Sequence, residues 1–108
     1  MELEIKRPLS TYFDAQNAHD VNGMLACFAD EAMVRDEGRD MLGRAAIRAW
    51  MDETTRKYRP TIKPTRVARE DERTIVTAQI SGAFPGSPIE LRYRFTLSGK
   101  KVARLEIG

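Results

Sequence analysis

The residues with most chemical potential lie in Phe28-Ala-Asp-Glu-Ala-Met-Val-Arg-Asp-Glu-Gly38, followed by Gly43-Arg-Ala-Ala-Ile-Arg-Ala-Trp50. The first run reads as a helix end, a turn and a short strand. A glycine-bounded loop and a new helix come next. Asp36 stands two residues after Val34, and strand side chains alternate faces, so the two point the same way. If Val34 faces a core or cavity, Asp36 faces it too. A carboxylate in that position is either a paired structural acid or a group that moves protons. The other reactive types are sparse. One cysteine (Cys27) and one histidine (His19) leave no zinc-ligand spacing and no intrachain disulfide. Cys27 sits among Leu25, Ala26 and Phe28 and reads as a packed thiol. His19, beside Asp20 in an interhelical turn, reads as a surface residue.

The elements that would position Asp36 follow from periodicity. Pro8 suits a first helical turn, and Leu9, Tyr12, Phe13 and Gln16 keep an i, i+3, i+4, i+7 spacing to Ala18. Asp20 is a good N-cap for a short second helix. In it Val21, Met24, Leu25 and Phe28 repeat that spacing, with Gly23 weakening it. Met33–Asp36 is the short strand, and Glu37–Gly43 is a polar loop that offers little lid. The third helix runs from about Arg44 to Tyr58. Ile47, Trp50, Met51, Thr54 and Tyr58 form its apolar stripe, and Pro60 ends it.

From Thr61 the pattern alternates. Thr61–Arg69 is a strand that Pro64 assigns to an edge or a bulge. Glu70–Arg73 is a charged turn, Thr74–Phe84 a long strand, and Pro85–Pro88 a turn. Ile89, Leu91, Tyr93, Phe95 and Leu97 then alternate strictly with Glu90, Arg92, Arg94, Thr96 and Ser98. After Ser98-Gly99-Lys100, the residues Ala103, Leu105 and Ile107 alternate with Arg104 and Glu106. Helices first and hairpin-linked strands after them argue an α+β fold with helices on one face of an antiparallel sheet.

The chain of 108 residues fits one domain over 1–108. Its 18 basic and 16 acidic residues are too balanced to argue for nucleic acid. The arginines Arg92, Arg94 and Arg104 share the polar strand face with no aromatic among them, since Tyr93 and Phe95 alternate to the other face, which argues the same way. No apolar run reaches the roughly 18 residues of a membrane span. The start Met1-Glu-Leu-Glu-Ile-Lys-Arg7 has no apolar signal region, so the expected location is cytoplasmic.

Three segments carry a resemblance: Tyr12-Phe-Asp-Ala-Gln-Asn-Ala-His-Asp20, Phe28-Ala-Asp-Glu-Ala-Met-Val-Arg-Asp36 and Gly43-Arg-Ala-Ala-Ile47. In these the chain resembles the SnoaL-like branch of the nuclear transport factor 2-like superfamily, which includes ketosteroid isomerase. The resemblance implies a cone-shaped cystatin-like roll: three N-terminal helices on a curved, mainly antiparallel sheet, with a pocket at the open end. Asp36 matches the isomerase's catalytic base, although Arg35 and Glu37 flank it where that enzyme has an acid and a proline. Tyr12 matches its oxyanion-hole tyrosine, or simply belongs to the stripe of Leu9 and Phe13. Tyr93 matches the second hydrogen-bond donor if the following turn is one residue shorter. A slip of one would put Arg92 there instead.

The side chains expected to line the pocket are Phe13, Phe28, Val34, Trp50, Leu91 and Phe95, with Phe28 and Trp50 equally suited to the core. The dehydratases of this fold keep a pocket histidine, and none matches here. The resemblance implies a small hydrophobic or carbonyl-bearing ligand, no metal or organic cofactor, and a homodimer through the outer sheet face. The short chain argues for a small or shallow pocket. Two functions follow: a cofactor-independent isomerase or cyclase with Asp36 as base, or a non-enzymic dimeric carrier or interaction module.

Overall fold

The computed structural model describes residues 4–108, so Met1 to Leu3 of the polar N-terminal stretch lie outside the described residues. Three helices precede or interrupt the strands: α1 (Leu9–Asn17), α2 (Val21–Leu25) and α3 (Gly43–Tyr58). Six strands, β1 (Phe28–Asp36), β2 (Arg39–Leu42), β3 (Thr61–Glu70), β4 (Arg73–Ser81), β5 (Ile89–Ser98) and β6 (Lys101–Ile107), form one sheet. Their order is β2-β1-β6-β5-β4-β3. All neighbours are antiparallel except β1 and β6. The α+β class is therefore as expected. The core lies between the sheet and the helices and holds Leu9, Phe13, Ile47, Met51, Phe95 and Leu105 among others.

The short second helix stops at Leu25, three residues before the Phe28 expected within it. Phe28 instead pairs with Val102 of β6, and the Cys27 carbonyl accepts the Val102 N–H at 2.8 Å. Sheet pairing outweighs a weak helical turn here. Asp20 caps the helix as expected, accepting from the Gly23 N–H at 3.0 Å. A Cβ on Gly23 would stand 2.6 Å from Asp20 Oδ2 and 3.1 Å from the Ala15 Cβ, so glycine lets α2 lie close to α1.

Arg44, one residue into α3, ties these parts together. Its Nη1 donates to the carbonyls of Leu25 at 3.1 Å and Phe28 at 2.7 Å. It satisfies backbone acceptors that the break between α2 and β1 leaves over. Arg44→Ala is expected to lower stability by about 1.5–3 kcal/mol, as for hydrogen bonds from a charged donor. Urea denaturation with an unchanged slope would show it.

The polar stretch after Asp36 is not all loop. Glu37 (φ 53°) and Gly38 (φ 76°) make a two-residue turn, and Arg39 pairs back with Asp36. Two successive positive φ values suit the twist of a tight hairpin. Glutamate is an unusual first residue for such a turn, which hid the strand β2 in the sequence.

The long fourth strand also ends early, at Ser81 rather than Phe84. The Ala83 N–H turns away to donate to the Tyr58 carbonyl at the end of α3, at 2.8 Å. Phe84 then meets the Tyr58 ring edge-on at 5.8 Å. Pro64 does mark a bulge on an edge strand, with the register shifting between Pro64 and Arg66. A second shift, between Thr96 and Leu97, brings Val102 into the core out of phase with Leu105. The sequence alternation did not anticipate it.

Candidate active site

Asp36 ends β1 with its side chain turned inward. It faces Ile107 of β6 across the parallel pairing and Arg39 across the hairpin. Val34 is fully buried on the same face. Of the flanking charges Arg35 turns away, pairing with Asp40 at 3.7 Å on the outer surface, whereas Glu37 is exposed at the rim of the same cavity. Among the described residues no ion pair involves Asp36. Its partner is the Trp50 indole, whose Nε1–H donates to Asp36 Oδ2 at 3.0 Å. The carboxylate is thus oriented by a neutral donor from α3.

Burial pushes the Asp36 carboxyl above the usual carboxylate range, and the neighbouring Glu37 adds to this. The Trp50 hydrogen bond is the largest opposing influence, followed by the Arg39 charge. Trp50→Phe keeps an aromatic ring in place but removes the N–H. It is expected to move the Asp36 pKa further up, measured by titrating the carboxyl carbon by NMR. A downward or absent shift would show that this hydrogen bond does not stabilise the ionised form.

Tyr12 (2% exposed) and Tyr93 (4% exposed) flank the same space from α1 and β5. The register settles the question at Tyr93. It pairs with Val76 and Ile107 on the inner face, while Arg92 is exposed on the outer one. Desolvation raises both phenol pKa values, and the Asp36 charge raises them further. Tyr12 is also pushed up by Tyr93, whereas the Gln16 amide works against the shift at Tyr93. Both phenols stay protonated at neutral pH, as hydrogen-bond donors must.

Asp36, Tyr12 and Tyr93 border one cavity of about 520 Å³, together with Trp50 and Leu91. That volume is in the lower half of the range of ligand pockets. The wall comes partly from the far end of α3 and from the segment after β4, through Tyr58, Phe84 and Pro85. Phe13, Phe28, Val34 and Phe95, expected in the lining, are packed in the core instead. Phe13 and Phe95 meet the two tyrosines edge-on or stacked, with ring centroids 5.6–6.2 Å apart, and so support the site from behind. Gln16, Met51, Tyr58, Phe84, Arg39 and Lys57 line the cavity but were not assigned to it from sequence. Gln16 had a visible signal, a polar residue on the apolar stripe of α1. Phe84 had none, because it read as strand.

His19 lies in its turn against the Pro60 carbonyl at 3.1 Å, outside the cavity lining. Cys27 is buried and free, with burial raising its thiol pKa. No cluster of three metal-ligating side chains exists among the described residues. None of the described helices is long and apolar enough to cross a membrane.

The fold and cavity define a small α+β roll of the nuclear transport factor 2-like, ketosteroid isomerase-like type. A family model described as SnoaL-like domain matches residues 9–104, and the chain belongs to that family. Its fold matches a candidate polyketide cyclase from Sinorhizobium meliloti with TM-score 0.91 and 34% identity, covering 96% of this chain and 95% of that one. It is also similar to a hypothetical protein with a ketosteroid isomerase-like fold from Catenulispora acidiphila, solved with trimethylamine (TM-score 0.85, 17% identity, 97% and 86% covered). The epoxide hydrolase/cyclase-like enzyme SalBIII, of pyran ring formation in salinomycin, aligns with TM-score 0.80 and 21% identity over 92% and 84% of the chains. No curated protein matches the chain.

Proposed function

We propose that the protein is a cofactor-independent proton-transfer enzyme, an isomerase or cyclase acting on a small carbonyl compound. The observation that carries this reading is the meeting of one half-buried carboxylate and two buried phenols on a single cavity. In the proposed step the carbonyl oxygen accepts hydrogen bonds from the Tyr12 and Tyr93 hydroxyls. The Asp36 carboxylate takes a proton from the adjacent carbon, and the electron pair of that C–H bond moves to make an enolate. Charge then builds on the oxygen that the two phenols already face, where such donors stabilise it most. Returning the proton to another carbon completes an isomerisation. Attack of the enolate carbon on a second carbonyl of the same molecule, with the C=O electron pair moving to that oxygen and the proton held by Asp36 delivered to it, completes a cyclisation.

The raised pKa of Asp36 favours this reading, because a base that holds its proton more firmly takes one from carbon more readily. The Sinorhizobium meliloti relative, a candidate polyketide cyclase, agrees with it in class. The test needs no knowledge of the natural substrate. Simple enolisable ketones are incubated with the protein in deuterated water, and exchange at the α-carbon is followed by NMR. Catalysed exchange that disappears in Asp36→Asn supports the proposal. Exchange no faster than in buffer across a set of ketones of graded size removes it, and leaves a carrier for such molecules.

A further inference from the structure

Gln16 is not used by the mechanism, yet it lines the same cavity. It is 6% exposed and is the one buried polar residue of the core among the described residues. Its Oε1 finds no hydrogen-bond partner in the protein. An orphaned buried acceptor of this kind is destabilising, so its presence calls for a reason. Its place is informative. Gln16 follows Tyr12 by four residues on α1, so the two side chains emerge one above the other on one helix face. Its amide lines the same cavity as the Tyr93 phenol and opposes the rise of that phenol's pKa. The residue therefore shares one cavity wall with the two groups proposed to hold the carbonyl, and adds an acceptor to a pair of donors. The last torsion of a glutamine side chain is soft, so a small turn of the amide brings Oε1 to the cavity surface.

We infer that Gln16 selects ligands that carry a hydroxyl close to the carbonyl, its Oε1 accepting the ligand's O–H while Tyr12 and Tyr93 donate to the carbonyl oxygen. This deepens the proposed function and rests on its assignment of the tyrosines. A site with an unpaired acceptor discriminates against a ligand lacking the matching donor, because only the donor relieves the orphaned group. Gln16 is on this view a specificity-determining residue rather than a catalytic one.

The test compares acetophenone with 2-hydroxy-1-phenylethanone, whose hydroxyl is on the carbon next to the carbonyl, and with 3-hydroxyacetophenone by isothermal titration calorimetry on the intact protein. The wild type is expected to bind at least one hydroxy ketone about fivefold to tenfold tighter than acetophenone, which corresponds to one net hydrogen bond. Gln16→Leu and Gln16→Met both remove the acceptor, and Met is an unbranched replacement that adapts readily to a packed site. Both are expected to reduce the preference to about twofold or less, with acetophenone affinity nearly unchanged. A merely structural glutamine would weaken all three ketones alike, and that result overturns the inference. So does a hydroxyl preference that survives in both variants, or one absent from the wild type. In these cases the ketones still bind and the carbonyl-pocket reading stands. If none of the three binds the wild type at millimolar concentration, that reading falls and the inference with it.

Discussion

Asp36→Asn is expected to slow catalysed α-proton exchange by about 10²–10⁴-fold, the usual contribution of a positioned general base. The substitution is nearly isosteric, and an asparagine oxygen can still accept from the Trp50 indole that holds Oδ2 at 3.0 Å. The loss would therefore report missing basicity and not a collapsed site. In the wild type the rate should climb with pH as Asp36 ionises. Its inflection should lie above the ordinary aspartate value of about 3.9, because burial raises this pKa. The same shift has a consequence for stability. The native state holds the Asp36 proton more tightly than the unfolded chain does. This contribution favours folding below the unfolded pKa and is lost as pH rises through the folded one. Asparagine does not titrate. Asp36→Asn should therefore gain stability relative to wild type across that window and be at its best, by comparison, near neutral pH. Urea denaturation of both proteins at acid and neutral pH measures the gain. A variant equally active in exchange would remove Asp36 as the base. A stability difference independent of pH would remove the burial argument.

Phe95→Ala is expected to cost about 3–5 kcal/mol, the range for deleting a buried aromatic and leaving a cavity. Phe95 has no exposed surface and is the hub of the aromatic cluster, with Tyr12 at 5.8 Å, Phe13 at 5.7 Å and Tyr93 at 6.2 Å. Edge-to-face and offset pairs of this kind add to simple area burial. A domain of this size has only about 5–15 kcal/mol to lose, so the urea midpoint should fall by a large fraction of its value. Phe95→Leu preserves most of the volume and should recover most of the loss. Both side chains proposed to hold the ligand carbonyl rest on this ring. Ketone binding should consequently weaken in Phe95→Ala even under conditions where the variant remains folded. Stability close to wild type would mean that the core repacks around the gap.

Much of the architecture was legible in the sequence because it is written in local periodicity. The stripe on α3 put Ile47, Trp50 and Met51 on the buried face, and all three are buried. The alternation through β5 put Tyr93 and Phe95 inward. The step from Val34 to Asp36 placed the carboxylate on the inner face of β1. What local pattern could not express was competition between partners distant in the chain. Phe28 keeps helical spacing with Leu25, but Val102 claims it for the sheet. Phe84 continues an apolar strand, but the Tyr58 carbonyl draws the backbone off the sheet at Ala83, and Phe84 becomes cavity wall.

The division between the two levels is clearest at the candidate site. Residue type and spacing alone marked one inward carboxylate as a group that could do chemistry, and the family resemblance added a tyrosine on the first helix and a tyrosine on the fifth strand as candidates. The turn and the register of β5 against β4 and β6 decided that Tyr93 and not Arg92 faces inward. The packing of α3 over β1 decided that the hydrogen-bond donor to Asp36 is an indole N–H and not an arginine, and it buries the carboxyl enough to raise its pKa despite that bond and the Arg39 charge. It also divided the expected lining, sending Phe13, Phe28, Val34 and Phe95 to the core and keeping Trp50 and Leu91 at the cavity. Alternation tells which face of a sheet a side chain takes. Only the closeness of helix to sheet along that face decides whether it meets another side chain or open space.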